Sequence, residues 1–101
     1  MAKLQITYWR DIPAMLAARE GRRAAKRELP LRFTEAIDRA AMRSGAHGTD
    51  DYLADWRQGE AQPCDADLDS VADAALAELL ADYDDERLAS LVAADGRETK
   101  S

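Results

Sequence analysis

The sequence is poor in the residues that build most catalytic and cofactor sites. It holds one cysteine, Cys64, and one histidine, His47, in 101 residues. A single cysteine excludes an internal disulfide and a zinc site built from several thiolates. It also suits a reducing compartment. We therefore predict a cytoplasmic protein that uses no metal and no other cofactor.

Clustered glycines and long apolar runs are absent as well. The five glycines stand alone, so the sequence contains neither a Walker loop nor a dinucleotide-binding fingerprint. No segment approaches the roughly 20 apolar residues of a membrane helix, and no apolar stretch behind the N-terminus resembles a secretory leader. The sequence thus predicts neither nucleotide binding through these motifs nor attachment to a membrane.

The two residues best suited to catalysis have unpromising surroundings. His47 lies between Ala46 and Gly48, with no neighbour in the sequence that would act as an acid-base partner. Cys64 is followed by Asp65, whose negative charge disfavours a thiolate nucleophile. We predict a solvated histidine, a structural cysteine, no catalytic residue and no enzymatic activity.

Two acidic clusters are candidates for a metal site, but neither has the ligand pattern of a known one. Residues 65–69 resemble the first half of a calcium-binding loop, but the sixth and twelfth positions are Ser70 and Leu76, where an EF-hand needs Gly and Glu. The second cluster lies within residues 82–86. Acidic residues are favoured where a helix begins, and both clusters stand at such places. We predict helix starts here and no metal site.

The best strand in the sequence is residues 3–9, which alternate with a period of two. One side carries Leu4, Ile6 and Tyr8, and the other carries Gln5, Thr7 and Trp9. Residues 10–13 read as a turn. Residues 14–28 favour a helix by propensity, yet Glu20-Gly21 interrupts them and the first strand needs a partner. We therefore predict a hairpin of strands 14–19 and 22–28, with one helix as the alternative.

After Pro30 the apolar period changes from two to about 3.6. This pattern predicts helices at residues 31–44, 50–57, 67–81 and 85–95, the second capped by Thr49. The predicted fold class is α+β: a small antiparallel N-terminal meander packed by three to four C-terminal helices. We expect one domain over residues 1–96 and a flexible tail at 97–101.

Charge is distributed unevenly along the chain. Residues 1–50 carry a formal charge of +4 and residues 51–101 carry −10. Either the two halves attract each other within the fold, or a basic face binds an anionic partner. The basic run comprises Arg19, Arg22, Arg23, Lys26, Arg27 and Arg32. On a hairpin it would either protect an edge strand from pairing or contact that partner.

Several of these cations accompany an aromatic residue in a candidate partner-binding face. Because Trp9 alternates with the apolar side of the first strand, we predict that it is exposed, in a face whose members are Trp9, Arg10, Arg22, Arg23, Lys26 and Arg27. The alternative is that Trp9 belongs to the core. No aromatic residues interleave the cations, and the second half is acidic, so the predicted partner is a protein rather than a nucleic acid.

Several segments resemble one known family. The sequence FTEAIDRAAMRSG at residues 33–45 is similar to the small bacterial "virulence factor" domain family, which also occurs as a module in conserved virulence factors with helical repeats. The other matching segments are residues 8–14, 25–29, 36–43, 52–57 and 83–88. The family name states a phenotype and no mechanism, so the resemblance transfers no catalytic residue.

The sequence features support one hypothesis about function. The absence of a catalytic constellation, beside amphipathic elements and an uneven charge, suggests a non-catalytic accessory or protein-interaction domain with a protein partner. Stand-alone proteins similar to this one tend to be encoded beside folate- and corrinoid-dependent methyl-transfer proteins. The alternative implied by that setting is an accessory subunit of such a methyl-transfer system in one-carbon metabolism.

Overall fold

A computed structural model describes residues 2–45 and 50–97 of the chain. In these residues the order of elements is β1 (Lys3–Trp9), β2 (Ile12–Glu20), β3 (Arg23–Glu28), α1 (Leu31–Ser44), α2 (Asp50–Ala54), β4 (Trp56–Gln58), β5 (Gln62–Pro63), α3 (Leu68–Asp82) and α4 (Asp85–Ala93). The predicted α+β class is confirmed. His47, Thr49 and the predicted tail after Arg97 lie outside the described residues.

The strands form one antiparallel sheet in the order β3-β2-β1-β4, and β5 also pairs with β1. The predicted hairpin is confirmed, because β2 and β3 pair from Met15 opposite Glu28 to Glu20 opposite Arg23. Its two-residue turn begins at Gly21, whose φ of +59° suits the first position of a type II′ turn. The interruption at Gly21 therefore outweighed the helical propensity of the flanking residues.

Tertiary pairing changed three of the predicted boundaries. The helix predicted at 50–57 ends at Ala54, and Trp56 begins β4, which pairs with Thr7–Trp9 along the outer edge of β1. The segment between the helices predicted at 50–57 and 67–81 contains β5, and the predicted turn at 10–13 is shorter because Ile12 already starts β2. An unpaired edge on β1 offers hydrogen bonds that a local helix does not, which explains β4 and β5.

One face of the sheet is covered by α3. The register places Leu4, Ala18 and Ala25 in one row across β1, β2 and β3, and α3 packs on β2 and β3. From its own side α3 contributes the buried Ala72 and Ala75. These small side chains allow the helix to lie close to the sheet, which explains why an alanine-rich hairpin is stable here.

The opposite face, which we call the open face, carries no buried residue in its first three rows. These rows are Lys3, Arg19 and Ala24, then Gln5, Ala17 and Lys26, then Thr7, Met15 and Glu28. Residues directly opposite each other in paired strands share a face. One hydrophobic core cluster joins Leu16 and Ala18 of the sheet to buried residues of helices α1, α3 and α4, among them Phe33, Ile37, Leu79 and Leu88.

Charge joins the two halves of the chain. Arg10 pairs with Asp55, Arg27 with Asp69 and Asp73, Arg32 with Asp85, and Arg43 with Asp95. Each of these ion pairs links an arginine of the basic half to an aspartate of the acidic half. Much of the uneven charge therefore serves attraction within the fold.

Candidate protein-binding surface

The acidic clusters begin helices, as predicted. Asp67 caps α3, where its carboxylate accepts a hydrogen bond from the Ser70 N–H, and Asp84 caps α4 by accepting from the Arg87 N–H at 2.8 Å. Within residues 2–45 and 50–97, no three His, Cys, Asp or Glu side chains are grouped so as to hold a metal ion. The part of the chain that the structure describes also has no helix long and apolar enough to cross a membrane.

The prediction that Trp9 is exposed is wrong. Its side chain is 0% exposed, its indole N–H donates to the Tyr52 carbonyl oxygen at 2.8 Å, and its ring lies 5.8 Å from that of Tyr52. A Cβ atom at Gly96 would lie 2.9 Å from the Trp9 ring, so the turn after α4 also covers it. At the Trp9 end, later segments of the chain therefore cover this side of the sheet, and Trp9 cannot contact a partner directly.

Arg10 is likewise committed to the fold rather than to a partner. Its guanidinium donates to the Asp55 carboxylate at 2.9 Å and to the Asp95 carbonyl oxygen at 2.6 Å, and its side chain is only 10% exposed. The residue has a φ of +53°, which costs about 1–2 kcal/mol for an L-residue. The two hydrogen bonds stabilise this turn and tie β1 to the segments after α2 and α4.

Arg27 belongs to the covered face. It donates to Asp73 at 2.9 Å and to Asp69 at 3.1 Å, both on α3. These two hydrogen bonds, that to Asp73 first, raise the pKa of the Arg27 guanidinium above its ordinary value. The two ion pairs hold the hairpin against α3.

The remaining three predicted cations stay exposed. Arg22 lies in the hairpin turn, and Arg23 and Lys26 lie on β3, an edge strand of the sheet. The strand register adds Lys3 and Arg19 of the open face to this group. We call these five residues, Lys3, Arg19, Arg22, Arg23 and Lys26, the basic tip. Arg19 was visible in the basic run of the sequence, whereas Lys3 joins it only through the pairing of β1 with β2.

Sequence reasoning missed an apolar groove beside the basic tip. Two adjoining depressions of about 260 and 210 Å³ share Ala14, Thr34 and Trp56. We call their apolar floor and walls the apolar groove; it is lined by Ala14, Met15, Leu31, Thr34, Tyr52 and Trp56. Leu31 is 69% exposed, and Met15 and Trp56 are each 36% exposed. Leu31 had one available signal, a large apolar side chain outside the Phe33–Ile37 stripe of α1.

The groove joins elements that are far apart in the sequence. Met15 comes from β2, Leu31 and Thr34 from α1, and Trp56 from β4. Trp56 reaches it because β4 pairs with β1, where Trp56 stands opposite Trp9. Its ring meets the Tyr52 ring edge-on at 6.1 Å. The helix predicted for residues 50–57 placed this tryptophan on a helical face, and that error concealed the groove.

Comparison with known proteins gives one relationship. The sequence matches the family described as "Virulence factor" over residues 7–92, which is most of the chain. No curated protein and no solved structure matches it. The matched region contains the apolar groove and every cation of the basic tip except Lys3. Since the match covers far more than half of the sequence, this chain belongs to the virulence factor family.

Proposed function

We propose that this chain is a non-catalytic protein-interaction or accessory domain that docks on a partner protein through the apolar groove. One observation carries the proposal: Met15, Leu31 and Trp56, from three separate elements, converge on one exposed apolar surface. Tryptophan and methionine are enriched at the centres of protein interfaces, and tryptophan is a frequent hot-spot residue. As part of this proposal we place the domain in the cytoplasm, because its single cysteine suits a reducing compartment.

A protein fits this surface better than a small ligand does. The two depressions, of about 260 and 210 Å³, are open to water, whereas a typical small-molecule pocket buries most of its ligand. Large apolar side chains stand around them in contact with water instead of enclosing a cavity. Covering such a surface with a partner protein is favourable, because burial of apolar area lowers the free energy by about 25 cal/mol per Å².

Photocrosslinking in the native bacterium tests the proposal. A photoreactive amino acid at Met15 should capture one predominant protein, while the same amino acid at Met42 should not. Met42 is a matched control because it is a large apolar residue on the surface, 63% exposed, and does not line the groove. Equal crosslinking from both positions would contradict a docking role for the groove.

The captured protein then serves as a purified binding partner. Leu31→Gln should weaken its binding by roughly tenfold or more, as expected for a central interface residue, whereas Met42→Gln should leave it unchanged. Both substitutions should preserve stability within about 0.5 kcal/mol because both side chains are largely exposed. Identification of a folate- or corrinoid-dependent methyltransferase would support the setting implied by the family resemblance; that setting stays a prediction.

A further inference from the structure

The basic tip consists of cations that the fold leaves without acidic partners. All five of its residues are exposed, and none forms an ion pair with another described residue. Six other arginines do form such pairs, namely Arg10, Arg27, Arg32, Arg43, Arg57 and Arg97. The chain has 20 acidic residues and a net charge of −6. Acidic partners are thus plentiful, and the unpaired state of the basic tip stands out.

The local charge at this end of the sheet is positive. The same strands carry two carboxylates, Glu20 opposite Arg23 and Glu28 opposite Met15 at the groove. The five cations and these two carboxylates together leave a charge of +3 on a chain whose total is −6. A local charge opposite in sign to that of the molecule attracts and orients anionic groups. Those groups must come from outside the described fold.

Edge protection accounts for only part of the basic tip. Arg23 and Lys26 lie on the edge strand β3, where cations discourage unwanted strand pairing. Arg19, however, lies on β2, which has paired neighbours on both sides, and Lys3 lies on β1, where it pairs with Arg19 and Pro63. Positions inside a sheet need no such protection, so these two cations require another explanation.

The basic tip is continuous with the apolar groove across the open face. Along β2, Met15 at the groove is followed on the same face by Ala17 and Arg19, and along β3 Lys26 stands beside Ala17. Two residues of strand span about 7 Å. The alanine leaves an unobstructed path between the apolar floor and the cations. A segment seated on Met15 therefore reaches Lys26 within two or three residues.

These observations identify the chemistry of the partner. We infer that the partner contributes an acidic segment, whose apolar residues fill the groove and whose Asp or Glu residues lie over Lys26, Arg19 and Lys3. This inference rests on the proposed function, because the groove must first be a docking site. The acidic part of the segment adds orientation and association rate more than raw affinity.

Three carboxylates, Glu28, Glu35 and Asp38, line the rim of the groove. Arg32 does not offset them because it pairs with Asp85. The acidic residues of the partner segment therefore belong over the basic tip, and only its apolar residues enter the groove. Nucleic acid fits less well than protein, since stacking needs aromatic residues among the cations. The exposed aromatic residue of this region, Trp56, lies in the groove and not within the basic tip.

Two synthetic peptide pools provide the probe. Both share the same set of apolar residues; one is flanked by Asp and Glu, and the other by Lys and Arg. Fluorescence anisotropy with the full chain should show roughly tenfold tighter binding of the acidic pool at about 50 mM salt. The preference should shrink at about 300 mM salt, where charges are screened over shorter distances.

Matched variants locate the effect. Arg19→Glu with Lys26→Glu should remove the preference for the acidic pool, and the milder pair Arg19→Gln with Lys26→Gln should reduce it should the first fail to fold. Arg39→Glu is the control, because Arg39 is also exposed but lies on α1 away from the open face. It should leave the preference unchanged.

The outcomes separate this inference from the proposed function. Equal binding of both pools, with Leu31→Gln weakening both, would overturn the acidic partner and leave the groove intact. If neither pool binds and crosslinking is equal at Met15 and Met42, both the acidic partner and the docking role of the groove are overturned. Tighter binding of a single-stranded oligonucleotide than of the acidic pool, lost in the double variant, would replace the acidic protein segment with nucleic acid.

Discussion

The two ends of the sheet use the same kinds of residue in opposite ways. At one end, which we call the closed end, Trp9 is fully buried and Arg10 bonds to Asp55 and Asp95. At the other end Arg19 and Lys26 of the basic tip remain in water without ion pairs to described residues. Side-chain type therefore does not decide the role of a residue in this sheet. What decides it is whether a later segment of the chain packs over that row.

The closed end depends on segments that return from far along the sequence. Tyr52 accepts from the Trp9 indole, Asp95 accepts from Arg10, and the Gly96 carbonyl accepts from the Asp11 N–H at 2.8 Å. These acceptors belong to α2 and to the turn after α4. The closed end is consequently a structural centre, and its residues should affect stability, whereas the residues of the basic tip should affect binding.

The largest expected difference is between the two tryptophans. Trp9→Ala should lower the free energy of unfolding by about 3–5 kcal/mol, because it removes a fully buried aromatic side chain and leaves a cavity. Trp56→Ala should cost about 1–2 kcal/mol, since more than a third of that side chain is already in water. Urea unfolding monitored by circular dichroism measures both values. Equal losses would break the comparison, and Trp9→Phe provides a milder variant if Trp9→Ala does not fold.

The two arginines should differ next. Arg10→Ala should cost about 2–3 kcal/mol, because it removes two hydrogen bonds to a carboxylate and a carbonyl oxygen from a largely buried site. Arg19→Ala should change stability by less than about 0.5 kcal/mol, as is usual for an exposed residue without a partner. The same urea titrations decide the matter. An Arg10→Ala protein as stable as Arg19→Ala would show that the two Arg10 hydrogen bonds do not stabilise the turn.

The smallest expected difference is between two glycines at helix ends. Gly45 and Gly96 both have positive φ, at +78° and +86°, but only Gly96 would place a Cβ against the Trp9 ring, at 2.9 Å. Gly45→Ala should therefore cost about 1 kcal/mol of backbone strain. Gly96→Ala should cost that amount and about 1–3 kcal/mol more for overpacking. Thermal unfolding of the two variants compares them, and similar melting temperatures would mean that Trp9 moves aside easily.

Local patterns predicted most of the elements. The helix at 31–44 agrees with α1, and that at 67–81 agrees with α3 within one residue, because their apolar stripes and capping residues are local signals. The alternation of β1 and the glycine in the hairpin turn were equally local. By contrast, β4 and β5 were missed because they are short and form only by pairing with β1.

The candidate surface could be predicted only in part. Arg22, Arg23 and Lys26 were recognised from the density of cations, and they are exposed as expected. Trp9 was misplaced because the period of two fixes its side of the strand but not what covers that side. The groove at Met15, Leu31 and Trp56 could not be predicted, since these three residues belong to β2, α1 and β4, which meet only in the packed chain.

The sequence by itself determined the family, through a match that extends over residues 7–92. It also determined the α+β class, the hairpin and the principal helices, since each of these depends on spacing and propensity within about 15 residues. Only the tertiary structure decided which face of the sheet is open, which tryptophan is core, and which arginines have acidic partners. Those outcomes depend on contacts between segments more than 40 residues apart, such as Trp9 with Tyr52 and Arg10 with Asp95. A local pattern predicts the secondary structure and the side of a strand, whereas only the packed chain determines which residues a side chain contacts.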